Sequence, residues 1–183
     1  MNGESMADIV NSRPAGATSE SQIAAFESLI GHALPADYRR FLLEHNGGSP
    51  RPDAFTFNLF GRDEEDLVMC FFPLRDLILG EVDVQDLSEL RTWPLHCAWN
   101  DLQNDLVHLY QKKLEHPLLP IGTDGSGNYF CIVLSGSQAG AVLFHEHELA
   151  DTCVLASSFD KFTTSLRPRE RNDYAEELEW NGE

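Results

Sequence analysis

"LPADYRRFLLEHNGGSP", residues 34–50, is the stretch on which the fold of this 183-residue chain turns. Pro35 suits the first helical position, where its missing N–H costs nothing, and Asp37 stands in the first turn, where the helix dipole favours negative charge. Leu34, Tyr38, Phe41 and Leu42 fall on one face at helical spacing, so an amphipathic helix is expected, closed by Asn46, Gly47 and Gly48. The glycines pose a choice between a phosphate cradle and a helix terminator. Phosphate is held at helix N-termini, where amides point outward, whereas a C-terminus presents carbonyls and negative partial charge. Here the pair follows the helix, without a G-K-[ST] lysine or a preceding strand, so the glycines read as a C-cap.

Upstream, Ser19 and Gln22 form a capping box, Ile23, Phe26, Leu29 and Ile30 supply an apolar stripe, and Gly31 is placed to end that helix. With so short a connection, the two helices are expected to pack as an antiparallel hairpin. Downstream of a Pro50/Pro52 turn, Phe55, Phe57 and Leu59 alternate with Thr56 and Asn58, the period of a strand with one buried face. The acids Asp63 to Asp66 read as a turn and residues 67–72 as a second strand, giving a hairpin. Residues 74–98, bracketed by Pro73 and Pro94, carry no clear period. From Trp99 onward Leu102, Leu106, Leu109, Tyr110 and Leu114 recur at helical spacing, with Asn100 or Asp101 as the cap and Pro117 as the stop.

A glycine-rich turn then leads into a strand from Tyr129 to Leu134, and a loop from Ser135 to Gly140 into the strand AVLFHEH, residues 141–147. A short strand at Cys153 to Leu155 precedes a helix capped by Ser157 or Ser158, with Phe159, Phe162 and Leu166 facing inward. These elements predict one α+β domain over residues 18–167, preceded by a flexible arm, 1–17, and followed by a charged tail, 168–183.

Thirteen basic residues against thirty acidic ones give a net charge of -17, so the surface field repels nucleic acid and anionic membranes and attracts a basic protein. The opening residues lack the apolar run of a signal peptide, and no later run approaches the roughly 20 residues of a membrane span, so a cytoplasmic protein is expected. Cys70, Cys97, Cys131 and Cys153 lie far apart with no metal-ligand or C-x-x-C spacing, and read as small apolar residues or free thiols.

The segment GTDGSGN, residues 122–128, has the wrong glycine spacing for a nucleotide fingerprint and precedes a strand. It reads as a tight turn in which Gly125 and Gly127 take positive φ and Asp124 or Asn128 bonds backbone amides. His145 and His147, two apart on a strand, would share a face and are the best metal candidates, with Asp151 nearby, but two ligands make no site. No nucleophile elbow occurs, and neither a catalytic residue nor a cofactor is expected. Aromatics set among acids point instead to a partner-binding surface: Asp63, Glu64, Glu65 and Asp66 after Phe60, Trp99 beside Asp101, and Glu146 and Glu148 around His147.

The run from Glu20 to Pro50 resembles the opening signature of the SUKH superfamily, the Smi/Knr type, through Ile23, Phe26, Glu27, Leu34, Pro35, Asp37, Tyr38, Phe41, Leu42, Asn46, Gly47, Gly48 and Pro50. Pro120, Ile121, Gly122, Asp124, Gly127 and Asn128 resemble a second motif of that family. Gly140, Val142, His147 and Glu148 follow it, and Phe159, Phe162 and Leu166 resemble its closing helix. Residues 61–117 match no family motif. The resemblance implies helices around a mixed or mostly antiparallel sheet, no catalysis, and an immunity protein that binds and neutralises a toxin domain, often a nuclease with a basic cleft. A regulatory scaffold for an endogenous protein, or a small metal-dependent hydrolase using His145 and His147, are the alternatives.

Overall fold

The computed structural model describes residues 7–12, 18–59, 61–75, 93–104, 116–148 and 151–169. Helix α1, Glu20–Ile30, starts as its capping box dictates: Ser19 Oγ accepts from Gln22 N at 3.2 Å while Gln22 Oε1 accepts from Ser19 N at 2.9 Å. Gly31, at φ 73°, ends it. Helix α2, Ala36–Glu44, begins one residue later than expected, with Pro35 in the cap position at ψ 144°. Glu27 ties the two helices, accepting from Leu34 N at 2.8 Å and pairing with Arg39 at 2.7 Å.

The end of α2 corrects the expected glycine cap. The helix stops at Glu44, and Asn46, not a glycine, enters the left-handed region at φ 46°. Asparagine tolerates that conformation because its short polar side chain bonds locally, and here the side chain does more. Asn46 Nδ2 donates to Leu74 O at 2.9 Å and Asn46 Oδ1 accepts from Leu74 N at 2.7 Å, so one buried amide completes a distant backbone. Gly47 and Gly48 are there for close passage: a Cβ on Gly47 would lie 3.1 Å from Phe71 O, and one on Gly48 2.8 Å from Val10 O.

Asp8–Val10, inside the expected flexible arm, is strand β1 and pairs with β2, Ser49–Arg51. Strands β3, Ala54–Leu59, and β4, Arg62–Leu67, form an antiparallel hairpin. A five-stranded sheet follows in the order β5-β6-β7-β8-β9, built from Cys70–Phe71, Leu118–Thr123, Tyr129–Val133, Val142–Glu146 and Asp151–Ala156. Its paired strands are all antiparallel. Gly122 lets β5 and β6 meet, since a Cβ there would stand 2.5 Å from Cys70 O.

Alternation along the strands sends Leu119, Ile121, Phe130, Ile132, Val142 and Phe144 to one face, against Phe26, Tyr38 and Phe41 of the first helices. Helix α4, Phe159–Ser165, adds Phe159 and Phe162, and is capped by Ser158, whose hydroxyl accepts from Lys161 N at 3.3 Å. Asp37 of α2 also accepts from Asp160 N at 3.1 Å, so an acid expected to serve its own helix caps a neighbour as well. On the opposite face Leu118, Cys131, Val133 and Leu143 pack with Leu102.

Leu102 belongs to α3, Leu95–Asn104, which starts after Pro94 and not at the expected Asn100 or Asp101 cap. Pro94 explains the difference: its O accepts from Ala98 N at 3.2 Å, opening the helix a turn earlier. The expected continuation through Leu106, Leu109, Tyr110 and Leu114 lies outside the described residues, as do Phe60, residues 76–92 and the tail from 170. Among the described residues no helix is long and apolar enough to cross a membrane. Cys70 and Cys131 are buried and Cys97 and Cys153 half-buried, all four as free thiols. Burial pushes the Cys131 thiol well above its ordinary range and those of Cys97 and Cys153 up in the same direction.

Candidate partner-binding surface

The acidic run is a strand and not a turn. Leu59 opposes Arg62, and Gly61, just before the strand, takes φ 77°. Strand β4 has no apolar alternation of its own, and its form comes from pairing with β3. Because directly opposed residues share a face, the run splits in two. Glu64 and Asp66 stand opposite Phe57 and Phe55, while Asp63 and Glu65 stand opposite Asn58 and Thr56. Asn58 Nδ2 donates to Asp63 Oδ1 at 2.6 Å, and Arg167 pairs with Glu65 at 2.5 Å.

Asp66 joins this strand to the glycine-rich turn. Partial burial raises its carboxyl above the usual range, and the Asp124 carboxylate, to which it is hydrogen bonded, raises it further. The turn has the expected geometry, with Gly125 at φ 91° and Gly127 at φ 102°. Asp124 Oδ1 accepts from Ser126 N at 2.7 Å and Asn128 N at 3.2 Å, and its Oδ2 accepts from Asn128 Nδ2 at 2.6 Å.

Asn128 Oδ1 in turn accepts from His147 N at 3.1 Å and lies 2.9 Å from His147 Nδ1. That contact corrects the shared-face expectation for the histidines. Strand β8 ends at Glu146, so His147 sits in the following turn and is exposed, while His145 is on the strand and only 3% exposed. Among the described residues, no group of three or more His, Cys, Asp or Glu is arranged to hold a metal ion. Glu146 opposes Asp151, and its Oε1 accepts from Glu148 N at 3.2 Å.

Asp63 to Asp66, Asp124, Glu146 and Glu148 are therefore linked through β4 and the turn beyond β6 and β8. Trp99 and Asp101 belong elsewhere, on α3, whose Leu102 packs beside Leu118 and Val133 at the other ends of β6 and β7. Trp99 is half-buried against the main core.

Sequence reasoning missed Asp53. It is 6% exposed, and Arg169 reaches it with Nη2 at 2.9 Å and Nε at 3.3 Å while Arg51 pairs with the same carboxylate. The Arg169 hydrogen bond is the main reason its carboxyl lies below the ordinary range. These three residues border a cavity of about 170 Å³ that also touches Met69 and Asp124. The partners are 116 residues apart in sequence, and the one local signal is the adjacent Arg51-Pro52-Asp53.

Residues 17–165 match the SMI1 / KNR4 family (SUKH-1). The SPbeta prophage-derived uncharacterized protein YokK of Bacillus subtilis (strain 168) is 30% identical over 150 residues, covering 79% of this chain and 72% of that protein.

Proposed function

The chain belongs to the SMI1 / KNR4 family (SUKH-1), and from that premise we propose that it is an immunity-type protein that binds a bacterial toxin domain, of the basic nuclease kind, and neutralises it in the cytoplasm without catalysis. The observation that carries the reading is the acidic strand β4, exposed from Arg62 to Glu65 in a chain of net charge -17. A negative surface repels the nucleic-acid substrate of a nuclease and steers the enzyme's own basic cleft toward it, raising the association rate in a salt-dependent way.

The test is capture from a native host lysate with this protein as bait, elution by a salt gradient, and assay of the eluted material. A basic toxin domain that elutes at moderate salt and is inhibited stoichiometrically supports the reading. A captured nuclease that stays active at saturating protein sinks it, and recovery of a non-toxic host protein moves the assignment to a regulatory scaffold.

A further inference from the structure

The cavity beside Asp53 is walled by parts of the chain that backbone bonds hold in place. Ala54 and Arg167 exchange two such bonds, each at 3.0 Å, and Arg169, two residues on, reaches Asp53. Val68 N donates to Asp53 O at 2.8 Å and Met69 N to Thr123 O at 3.0 Å, so the apolar wall and Asp124, the residue after Thr123, belong to the same frame. Two guanidiniums converge there on one carboxylate that is itself only 6% exposed. The surface arginines of the first helices are matched differently: Arg40 has Asp160, and Arg39 has both Glu20 and Glu27. Arg169 uses Nε and Nη2 on Asp53, and Arg51 uses Nη1 on Asp53 and, at 3.1 Å, on Pro50 O. Among the described residues, Arg169 Nη1 and the Nε and Nη2 of Arg51 have no hydrogen-bond partner.

From this arrangement we propose that the cavity is a binding site for a single carboxylate on a short apolar body, either a small acid or the glutamate side chain of a protein. The proposal goes beyond the toxin-binding reading and stands without it. Guanidinium edges match the planar, two-oxygen geometry of a carboxylate. Charge selects against phosphate: the two arginines exceed Asp53 by one positive charge, and Asp124 on the same cavity repels a doubly charged anion more than a singly charged one. A cavity of roughly 150 Å³ takes a six-membered carbon ring, so this one, at about 170 Å³, suits a ligand of about six heavy atoms with its chain against Val68 and Met69. Asp53 is then a positioning residue, since both guanidiniums are anchored on it.

The test is titration of the full, isotope-labelled chain with butyrate and with butyramide, its uncharged analogue of the same shape, at about 150 mM salt, where diffuse attraction is largely screened. The magnetic resonance signals of the arginine Nε–H groups are followed. Butyrate should shift those of Arg51 and Arg169 saturably, with a dissociation constant on the order of 1 mM, and butyramide should leave them in place. A capped Ala-Glu-Ala peptide tells the two sources apart: tighter binding than butyrate assigns the site to a protein's glutamate, and equal or weaker binding assigns it to a small acid. Arg51→Gln leaves Asp53 paired with Arg169 and should weaken butyrate binding about tenfold, while Arg51→Lys, which keeps the charge and loses the fork, should recover part of it. No shift with butyrate, equal responses to butyrate and butyramide, shifts that appear equally at Arg40, or full affinity in Arg51→Gln would each overturn the proposal, and none of them bears on the toxin capture.

Discussion

Replacing Asn46 by alanine separates what the asparagine does from what the glycines after it do. The amide makes two bonds to the backbone of Leu74, at 2.7 and 2.9 Å, in a place where Asn46 is 1% and Leu74 4% exposed. Asn46→Ala leaves a buried N–H and a buried C=O without their partner, at about 1–3 kcal/mol each. It also holds a Cβ-bearing residue without a local polar bond at φ 46°, for roughly another 1 kcal/mol. Allowing for partial relaxation, the expected loss is about 3–5 kcal/mol, a large share of the 5–15 kcal/mol typical of a domain. Urea unfolding followed by far-ultraviolet circular dichroism measures it. Asn46→Gly removes the same two bonds but accepts the left-handed backbone, so it should stand about 1 kcal/mol above the alanine variant. An alanine variant within about 1 kcal/mol of the parent, or a glycine variant as stable as the parent, would refute the role given to the amide.

Two pH-dependent predictions rest on titratable groups that the fold takes partly or wholly out of water. The carboxyl of Asp66 is raised by burial and by Asp124, so the native chain holds that proton more readily than the unfolded one and loses stability as pH rises through the carboxylate range. Asp66→Asn keeps an acceptor for Leu67 N and should be more stable than the parent at about pH 7, with the gain gone near pH 3 where both carry no charge; a gain that persists in acid would refute the electrostatic cause. His96 is 8% exposed, its ring nitrogens find no hydrogen-bond partner among the described residues, and burial lowers its pKa. The unfolded chain therefore takes up a proton below about pH 6.5 that the native chain resists, and stability falls with acidification. His96→Leu should flatten the change in urea midpoint between about pH 7.5 and 5.5; an unchanged slope would show that the ring titrates without penalty.

The elements that sequence made visible are those whose signals are local. Ser19 with Gln22, and Ser158 before Phe159, announce helix starts because a cap is satisfied within three residues. Strands β7 and β8 show themselves as apolar runs rich in aromatic and β-branched residues after glycine-containing turns, whereas β6, buried along its whole length, carries no alternation and was not read as a strand. Strand β4 carries no such mark, since its exposed acids have no apolar period and only the register against β3 makes it extended. The Asn46-Gly47-Gly48 stretch was legible as a helix end but not in its division of labour. Asparagine and glycine both enter the left-handed region, and the requirement for glycine comes from Phe71, Pro73 and Val10, which approach through space.

The same contrast governs the surface. Sequence proximity suggested that four adjacent acids form one patch and that His145 and His147 share a face, but pairing divides the first across two faces and the end of β8 separates the second. What adjacency could not show is which acids the fold itself uses. Asp53 is buried with two arginines, and its depressed pKa marks a charge that folding favours. Asp66 has the opposite shift, and the fold would be better served by a neutral group there. A charge that folding disfavours, at the end of an exposed acidic strand, is one that the basic partner proposed above would favour. The Asn variant at Asp66 should accordingly gain stability while slowing association with that partner; if it gains stability and associates at the parent rate in low salt, the raised carboxyl is a feature of packing and the steering field comes from the other acids.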